Sequence, residues 1–178
     1  MAEKKYKGRR AYLNDFKKNE SGNYEYQGDL YYWKGDKESL KKEMTILWLV
    51  GIGMLASFIL AGCVDAPGAM NSFTVVLPYT ISFVFGISTV WGLWRLFEGG
   101  NPLRAYVYKA SVEQIPVRCM GTIICAMVAI VGEIIFLIQH FAEENPGKAV
   151  LFLLLEGMGM VLAIFLRKCA VKMVWEKK

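Results

Sequence analysis

The sequence predicts an all-α integral membrane protein, built as a four-helix transmembrane bundle. Of its 178 residues, 54% are hydrophobic, which exceeds the share in an ordinary soluble domain. Four long apolar segments contain no lysine or arginine, and each has about the 20 residues that cross a hydrocarbon core of roughly 30 Å. The segments are residues 44–64, 74–94, 119–139 and 149–166.

The distribution of cationic residues predicts the orientation. Of the 21 lysines and arginines, eleven precede the first segment, four lie between the second and third, and five follow the fourth. The two remaining loops contain only Lys148. Because cationic loops stay in the cytoplasm, we expect both termini inside, in a multi-pass protein of the plasma (inner) membrane with the lipid bilayer as its main partner. This bias also explains the net charge of +5, so we expect no nucleic-acid partner.

Residues 1–43 form a polar, aromatic-rich head. Tyr24 and Tyr26 alternate with polar residues and 30–33 favour a strand, so we predict a small three-stranded cytoplasmic β-meander over residues 12–33, with disorder as the alternative. Gly35-Asp36 should end the last strand and cap a helix that starts at Lys37 and continues into the first apolar segment. The predicted division is therefore a head, 1–43, and a transmembrane domain, 44–178, with a basic tail at 167–178.

The loop between the second and third segments predicts a cytoplasmic interfacial helix over residues 101–114. Asn101 would cap this helix, Pro102 would lie in its first turn, and apolar residues follow at helical spacing. We expect it to serve as a docking surface for the head or for a partner. The candidate docking residues are Arg104, Tyr106, Tyr108 and Lys109.

Two ionisable residues lie inside the apolar segments, Glu133 in the third and Glu156 in the fourth. An acidic side chain near the bilayer centre costs a few kcal/mol, so such a residue favours a functional hypothesis. Glu133 lies seven residues before His140, and Glu156 lies seven residues after Ala149. At 1.5 Å per residue, both carboxyls are predicted at nearly equal depth, about 10 Å below the outer boundary.

Both glutamates fall on stripes of small residues, which let membrane helices approach closely. These stripes are Ala149, Glu156, Ala163 and Ala170 on segment four, and Gly121, Cys125, Ala129 and Gly132-Glu133 on segment three. Two close carboxylates without a counter-charge could share a proton or hold a cation. The alternatives are a structural role, with protonated carboxyls bonded to each other, to backbone or to the hydroxyls of Ser82 or Thr89, and pairing with another subunit.

No catalytic or cofactor motif is present. The sequence has no phosphate loop, no Gly-x-Ser-x-Gly elbow, no dinucleotide fingerprint and no Cys-x-x-Cys pair. With a single histidine and scattered cysteines, we expect no metal site, no cofactor and no disulfide framework. Residues 60–63 match the bacterial lipoprotein cleavage pattern before Cys63, but the long polar stretch before them favours a helix that ends in small residues.

The predicted function is that of a non-enzymatic accessory or scaffolding subunit, which docks cytoplasmic or membrane partners. The alternative is a small oligomeric transporter or channel component that uses Glu133 and Glu156 to bind a cation or relay protons. Either function implies a homo-oligomer or a larger membrane-protein partner.

Overall fold

The computed structural model describes residues 8–20, 22–140 and 146–177, and most of these are helical. The helices are α1 (Lys37–Gly62), α2 (Pro67–Asn71), α3 (Phe73–Gly99), α4 (Ala105–Ala110), α5 (Gln114–Gln139) and α6 (Pro146–Lys172). The four long helices, α1, α3, α5 and α6, are long and apolar enough to cross a membrane, and each contains most of one predicted apolar segment. The prediction of a multi-pass membrane protein is confirmed.

The four long helices form a closed ring in which α1 packs on α3 and α6, and α5 packs on the same two helices. Only 22–39% of the most apolar stretch of each span is buried inside the chain. The outward side chains include Leu49 and Ile138, which are 68% and 72% exposed. A surface this apolar is compatible with lipid and not with water.

The centre of the bundle is fixed by an aromatic ring between glycines. Phe58 of α1 is fully buried, and its ring lies against Gly86 of α3 and Gly159 of α6. A methyl group on Gly159 would lie 2.5 Å from Cε1 of Phe58, and one on Gly86 would lie 3.3 Å from Cδ2. The two glycines therefore let three helices close around one ring.

The start of α1 agrees with the sequence prediction. Asp36 has an extended backbone, and its carboxylate accepts a hydrogen bond of 3.2 Å from the backbone N–H of Ser39. Hydrogen bonds from Ser39 hold the pKa of Asp36 below its ordinary value. An N-cap of this kind satisfies a backbone donor that the helix itself leaves free.

In the part of the chain that the structure describes, five short strands lie outside the bundle: β1 (Phe16–Lys18), β2 (Tyr24–Tyr26), β3 (Leu30–Trp33), β4 (Leu103–Arg104) and β5 (Trp175–Lys177). β1 and β2 form an antiparallel hairpin. β3 is the centre of a second sheet, with β4 antiparallel on one side and β5 antiparallel on the other. The register places Tyr31 opposite Leu103 and Lys177, and Trp33 opposite Trp175.

The predicted three-stranded meander is therefore wrong. β3 does not continue the hairpin, and Gly8–Asp15 is a 3-10 helix, which includes the first part of the predicted strand region. A central strand forms backbone hydrogen bonds along both of its edges, and β4 and β5 are the partners of β3. These two strands also contribute the buried side chains of Leu103 and Trp175. β3 therefore pairs with two strands that are distant in the sequence and does not pair with β2, its neighbour along the chain.

The predicted interfacial helix, 101–114, is also wrong in its bounds. Residues 103–104 belong to β4, and the helix α4 covers only Ala105–Ala110. The side chain of Asn101 does not cap a helix; its Oδ1 accepts a hydrogen bond of 3.3 Å from the backbone N–H of Trp33. Pairing with β3 holds residues 103–104 extended and delays the helix start.

Candidate functional site

Glu133 and Glu156 are both completely buried inside the bundle. Buried carboxyls need hydrogen-bond partners, because desolvation of an unpaired polar group is costly. In each glutamate, Oε1 has a partner. In each, Oε2 has no hydrogen-bond partner among the described residues.

Glu133 of α5 closes the N-terminus of the short helix α2. Ala66, the N-cap residue of α2, offers no side-chain acceptor, and Oε1 of Glu133 accepts a hydrogen bond of 3.3 Å from the backbone N–H of Gly68. A methyl group on Gly68 would overlap Oε2 of Glu133, so glycine leaves room for the carboxyl at this position. Glu133, although it lies on α5, therefore acts as the side-chain N-cap of α2.

Glu156 of α6 bonds to α3 through a hydroxyl. Ser82 Oγ lies 3.0 Å from Oε1 of Glu156 and 2.7 Å from the backbone carbonyl of Tyr79. A hydroxyl has one proton, and a backbone carbonyl can only accept. When Ser82 donates to the Tyr79 carbonyl, its contact with Glu156 requires that the carboxyl carry a proton and donate. The arrangement therefore accommodates a neutral Glu156.

The action of the two glutamates as a dyad stays a prediction. In the described ranges no hydrogen bond joins them, and each has its own partner element: α2 for Glu133 and α3 for Glu156. Ser82 is a hydroxyl partner, as one alternative proposed. Thr89 is not, because its hydroxyl donates to the backbone carbonyl of Phe85, one turn earlier in α3, at 2.8 Å.

The stripe of small residues on α6 lies inside the bundle as predicted, since Ala149, Glu156 and Ala163 are fully buried and Ala170 nearly so. The stripe predicted for α5 is only partly right. Ala129 and Glu133 are buried, but Gly121 and Cys125 are half-buried. The buried face of α5 is instead Ile115, Cys119, Thr122, Ala126, Ala129 and Glu133.

A second candidate site lies at the end of the bundle where α1 begins and where α3 and α6 end. We call this folded unit, composed of β1, β2, β3, β4, β5 and α4, the platform. The rings of Tyr31 and Tyr108 stack there with centroids 3.9 Å apart, and Tyr106 lies 5.1 Å from Tyr12 and 6.3 Å from Tyr26. Aromatic contacts therefore fix α4 to the N-terminal strands.

The predicted docking residues differ in their surroundings. Tyr106 and Tyr108 contact the head of the same chain, as described above. The guanidinium of Arg104 lies over the rings of Phe16 and Tyr26, at 5.7 and 5.6 Å from their centroids. Lys109 is exposed on α4.

Ion pairs tie the C-terminal strand to the platform. Lys177 lies 2.7 Å from the carboxylate of Asp29, and Lys34 lies 3.1 Å from that of Glu176. The hydrogen bond and the charge of Asp29 raise the pKa of Lys177. These side chains are more than half exposed, so each pair adds little free energy by itself.

The platform and the end of α3 line an open cavity of about 580 Å³. Its charged lining residues are Arg95, Glu98 and Arg104, and the rest of its wall is Leu30, Gly99, Pro102, Tyr106 and Val107. β3, α3 and the β4–α4 segment each contribute to it. Sequence reasoning missed this cavity, because it depends on the pairing of β3 with β4.

The hydrogen bonds of Arg118 were also not predicted from the sequence. Arg118 of α5 donates hydrogen bonds to the backbone carbonyls of Ser88, at 2.6 Å, and Ala110, at 3.4 Å. It passes over Gly92, where a methyl group would lie 2.7 Å from Nη1. This arginine links α5 to α3 and α4 at the platform end of the bundle.

Within the described residues, no group of three histidine, cysteine or carboxylate side chains could hold a metal ion. The chain as a whole matches no protein-family model, no curated protein and no solved structure.

Proposed function

We propose that the protein is a non-enzymatic accessory or scaffolding subunit of the plasma membrane, and that its platform is a cytoplasmic docking surface. The observation that carries this proposal is the β4–β3–β5 sheet. Its strands come from the three parts of the chain that hold twenty of the 21 lysines and arginines. Chain segments that could have been separate loops are joined into one surface.

The charge bias supports a cytoplasmic location for this surface, because cationic segments are retained on the inner side. The platform has exposed groups available to a partner. Tyr24 of β2 is 74% exposed, and Lys17 and Lys18 of β1 are exposed beside it. Exposed aromatic residues such as Tyr24 are enriched at protein interfaces, and polar side chains such as those of Lys17 and Lys18 are usual at the rim.

The test is site-specific photo-crosslinking in cells with benzoylphenylalanine in place of Tyr24. We expect one reproducible protein adduct that exceeds the mass of this chain. The matched control has the same photoreactive residue in place of Met70, which is 67% exposed on α2 at the opposite end of the bundle. Only lipid adducts at Tyr24, or the same adducts at both positions, would contradict a docking role for the platform.

The alternative proposal is a small oligomeric transporter or channel component. It is supported by the free Oε2 atoms of Glu133 and Glu156, because buried acceptors without a partner in the described chain are suited to a proton or a cation. Proton and cation flux into proteoliposomes tests it with Glu133→Gln and Glu156→Gln. Loss of flux with unchanged thermal stability supports transport, and wild-type protein without flux refutes it.

A further inference from the structure

The cavity between α3 and the platform combines two cationic side chains with one anionic side chain. Arg95 and Arg104 line it together with Glu98. In the ranges that the structure describes, neither arginine forms an ion pair. Glu98 offsets one of the two arginines without contacting either as an ion pair in the described residues, so the lining has a net charge of +1.

Arginine is suited to phosphate for geometric reasons. The guanidinium presents planar, paired N–H donors that match two phosphate oxygens. Arg104 is held in place by its contacts with the rings of Phe16 and Tyr26, so its side chain is ordered before any ligand arrives. Ordering in advance lowers the entropic cost of binding.

The depth of the cavity indicates which phosphate it meets. Trp91, Trp94 and Phe97 precede or flank Arg95 on α3 and are 62%, 48% and 60% exposed. Exposed aromatic residues at the end of a membrane helix mark the headgroup level of the bilayer. The cavity is lined by the last turn of the same helix, so it opens where lipid headgroups lie.

We propose that this cavity binds the phosphate of an anionic phospholipid in the leaflet next to the platform. Arg95 and Arg104 donate hydrogen bonds to the phosphate oxygens, and the acyl chains lie along the exposed apolar face of α3. Glu98 limits the affinity by repelling the phosphate. Basic pockets at the cytoplasmic ends of membrane helices bind anionic headgroups, and this cavity lies at the end of one such helix, α3. The inference goes beyond the docking function and does not depend on it.

The test is native mass spectrometry of the full chain in neutral detergent, titrated with phosphatidylglycerol or phosphatidylcholine. We expect at least about fivefold tighter binding of phosphatidylglycerol, with a loss of about fivefold in Arg95→Gln, the contribution expected of one cation at an anionic membrane surface. Glu98→Gln should bind more tightly than the wild type. Lys168→Gln, the control, removes an exposed cation of α6 outside the cavity and should change binding less than twofold.

A second arm distinguishes the source of the phosphate. Inorganic phosphate and glycerol phosphate at millimolar concentration should not displace the lipid. Displacement by either, or equal affinity for the two lipids, overturns the proposal. Equal losses in Arg95→Gln and Lys168→Gln also overturn it, because non-specific charge would then explain the binding. If Arg95→Gln lowers the thermal stability, Arg95→Lys and Glu98→Gln replace it in the test. Weaker lipid binding by Arg95→Lys and tighter binding by Glu98→Gln support the site, and unchanged binding in both variants refutes it.

Discussion

The contact between Gly159 and Phe58 yields the sharpest prediction for the bundle. Replacing Gly159 by alanine places a methyl group 2.5 Å from Cε1 and 2.9 Å from Cδ1 and Cζ of the Phe58 ring. The ring cannot move far away from it, because its opposite edge lies against Gly86. Overpacking of this kind typically costs about 1–3 kcal/mol.

Gly157 on the same helix is the matched control, because a methyl group there meets nothing within 4 Å. Both substitutions gain the helix propensity of alanine, up to about 1 kcal/mol, so the gain cancels in the comparison. We therefore expect Gly159→Ala to be about 1–3 kcal/mol less stable than Gly157→Ala. The assay is unfolding in mixed detergent micelles, followed by circular dichroism.

A double-mutant cycle with Phe58→Leu identifies the contact responsible. Removing the ring should reduce the cost of Gly159→Ala, with an interaction energy of about 0.5–3 kcal/mol. Equal stability of the two alanine variants, or costs that add without interaction, would refute the packing of Phe58 between α3 and α6.

Three further predictions concern the two ends of the bundle. Gly68→Ala should displace the Glu133 carboxyl, because the added methyl group would overlap Oε2, and should lower stability by about 1–3 kcal/mol. Glu133→Gln, whose side-chain oxygen can still accept from Gly68, should cost less in the same unfolding assay. The stabilisation of the β3–β5 pairing by Lys177 should be complete below the ordinary lysine pKa of about 10.4 and should fall as the pH rises through the raised pKa of Lys177 in the folded protein. Near-ultraviolet circular dichroism of the tryptophans in β3 and β5 can follow this loss. Lys177→Gln should lack the transition, and a transition retained in that variant would contradict the assignment. Cys63, exposed just after the end of α1, should react with a membrane-impermeant maleimide in intact cells, and the other three cysteines should not; the reverse pattern would contradict the proposed orientation.

The sequence predicts the helices well, because their patterns are long. Segments of about 20 apolar residues and a seven-residue repeat decide both the presence of α6 and the face it buries, and Ala149, Glu156 and Ala163 are all inside the bundle. The N-cap at Asp36 can also be predicted from the sequence, because its carboxylate accepts from the backbone N–H of Ser39, only three residues away. Predictions that depend on residues close in sequence therefore agree with the structure here.

The strand pairing and the glutamate partners were not predictable in the same way. β4 has two residues and β5 has three, which is too short for any periodic pattern. Gly68 bonds to Glu133 across 65 residues of sequence, and Ser82 bonds to Glu156 across 74. Equal depth in the bilayer predicted neighbouring carboxyls, but depth does not determine the rotation of each helix or the insertion of α2 beside Glu133.

The division of the chain at residue 43 stays a prediction. β3 belongs to the N-terminal part, but its two partner strands follow α3 and α6. The head therefore gains its order from the transmembrane domain, as expected for strands too short to be stable by themselves.

The most direct test of the platform is a disulfide between β3 and β5 in the native membrane. Tyr32 lies opposite Glu176 in the sheet, and paired Cα atoms of antiparallel strands are about 4.5–5.5 Å apart, within disulfide range. Tyr32→Cys with Glu176→Cys should form the cross-link under mild oxidation. Tyr31→Cys with Glu176→Cys should not, because those side chains point to opposite faces of the sheet. Cross-linking of the second pair and not of the first would contradict the assembly of the N-terminal and C-terminal strands into one surface.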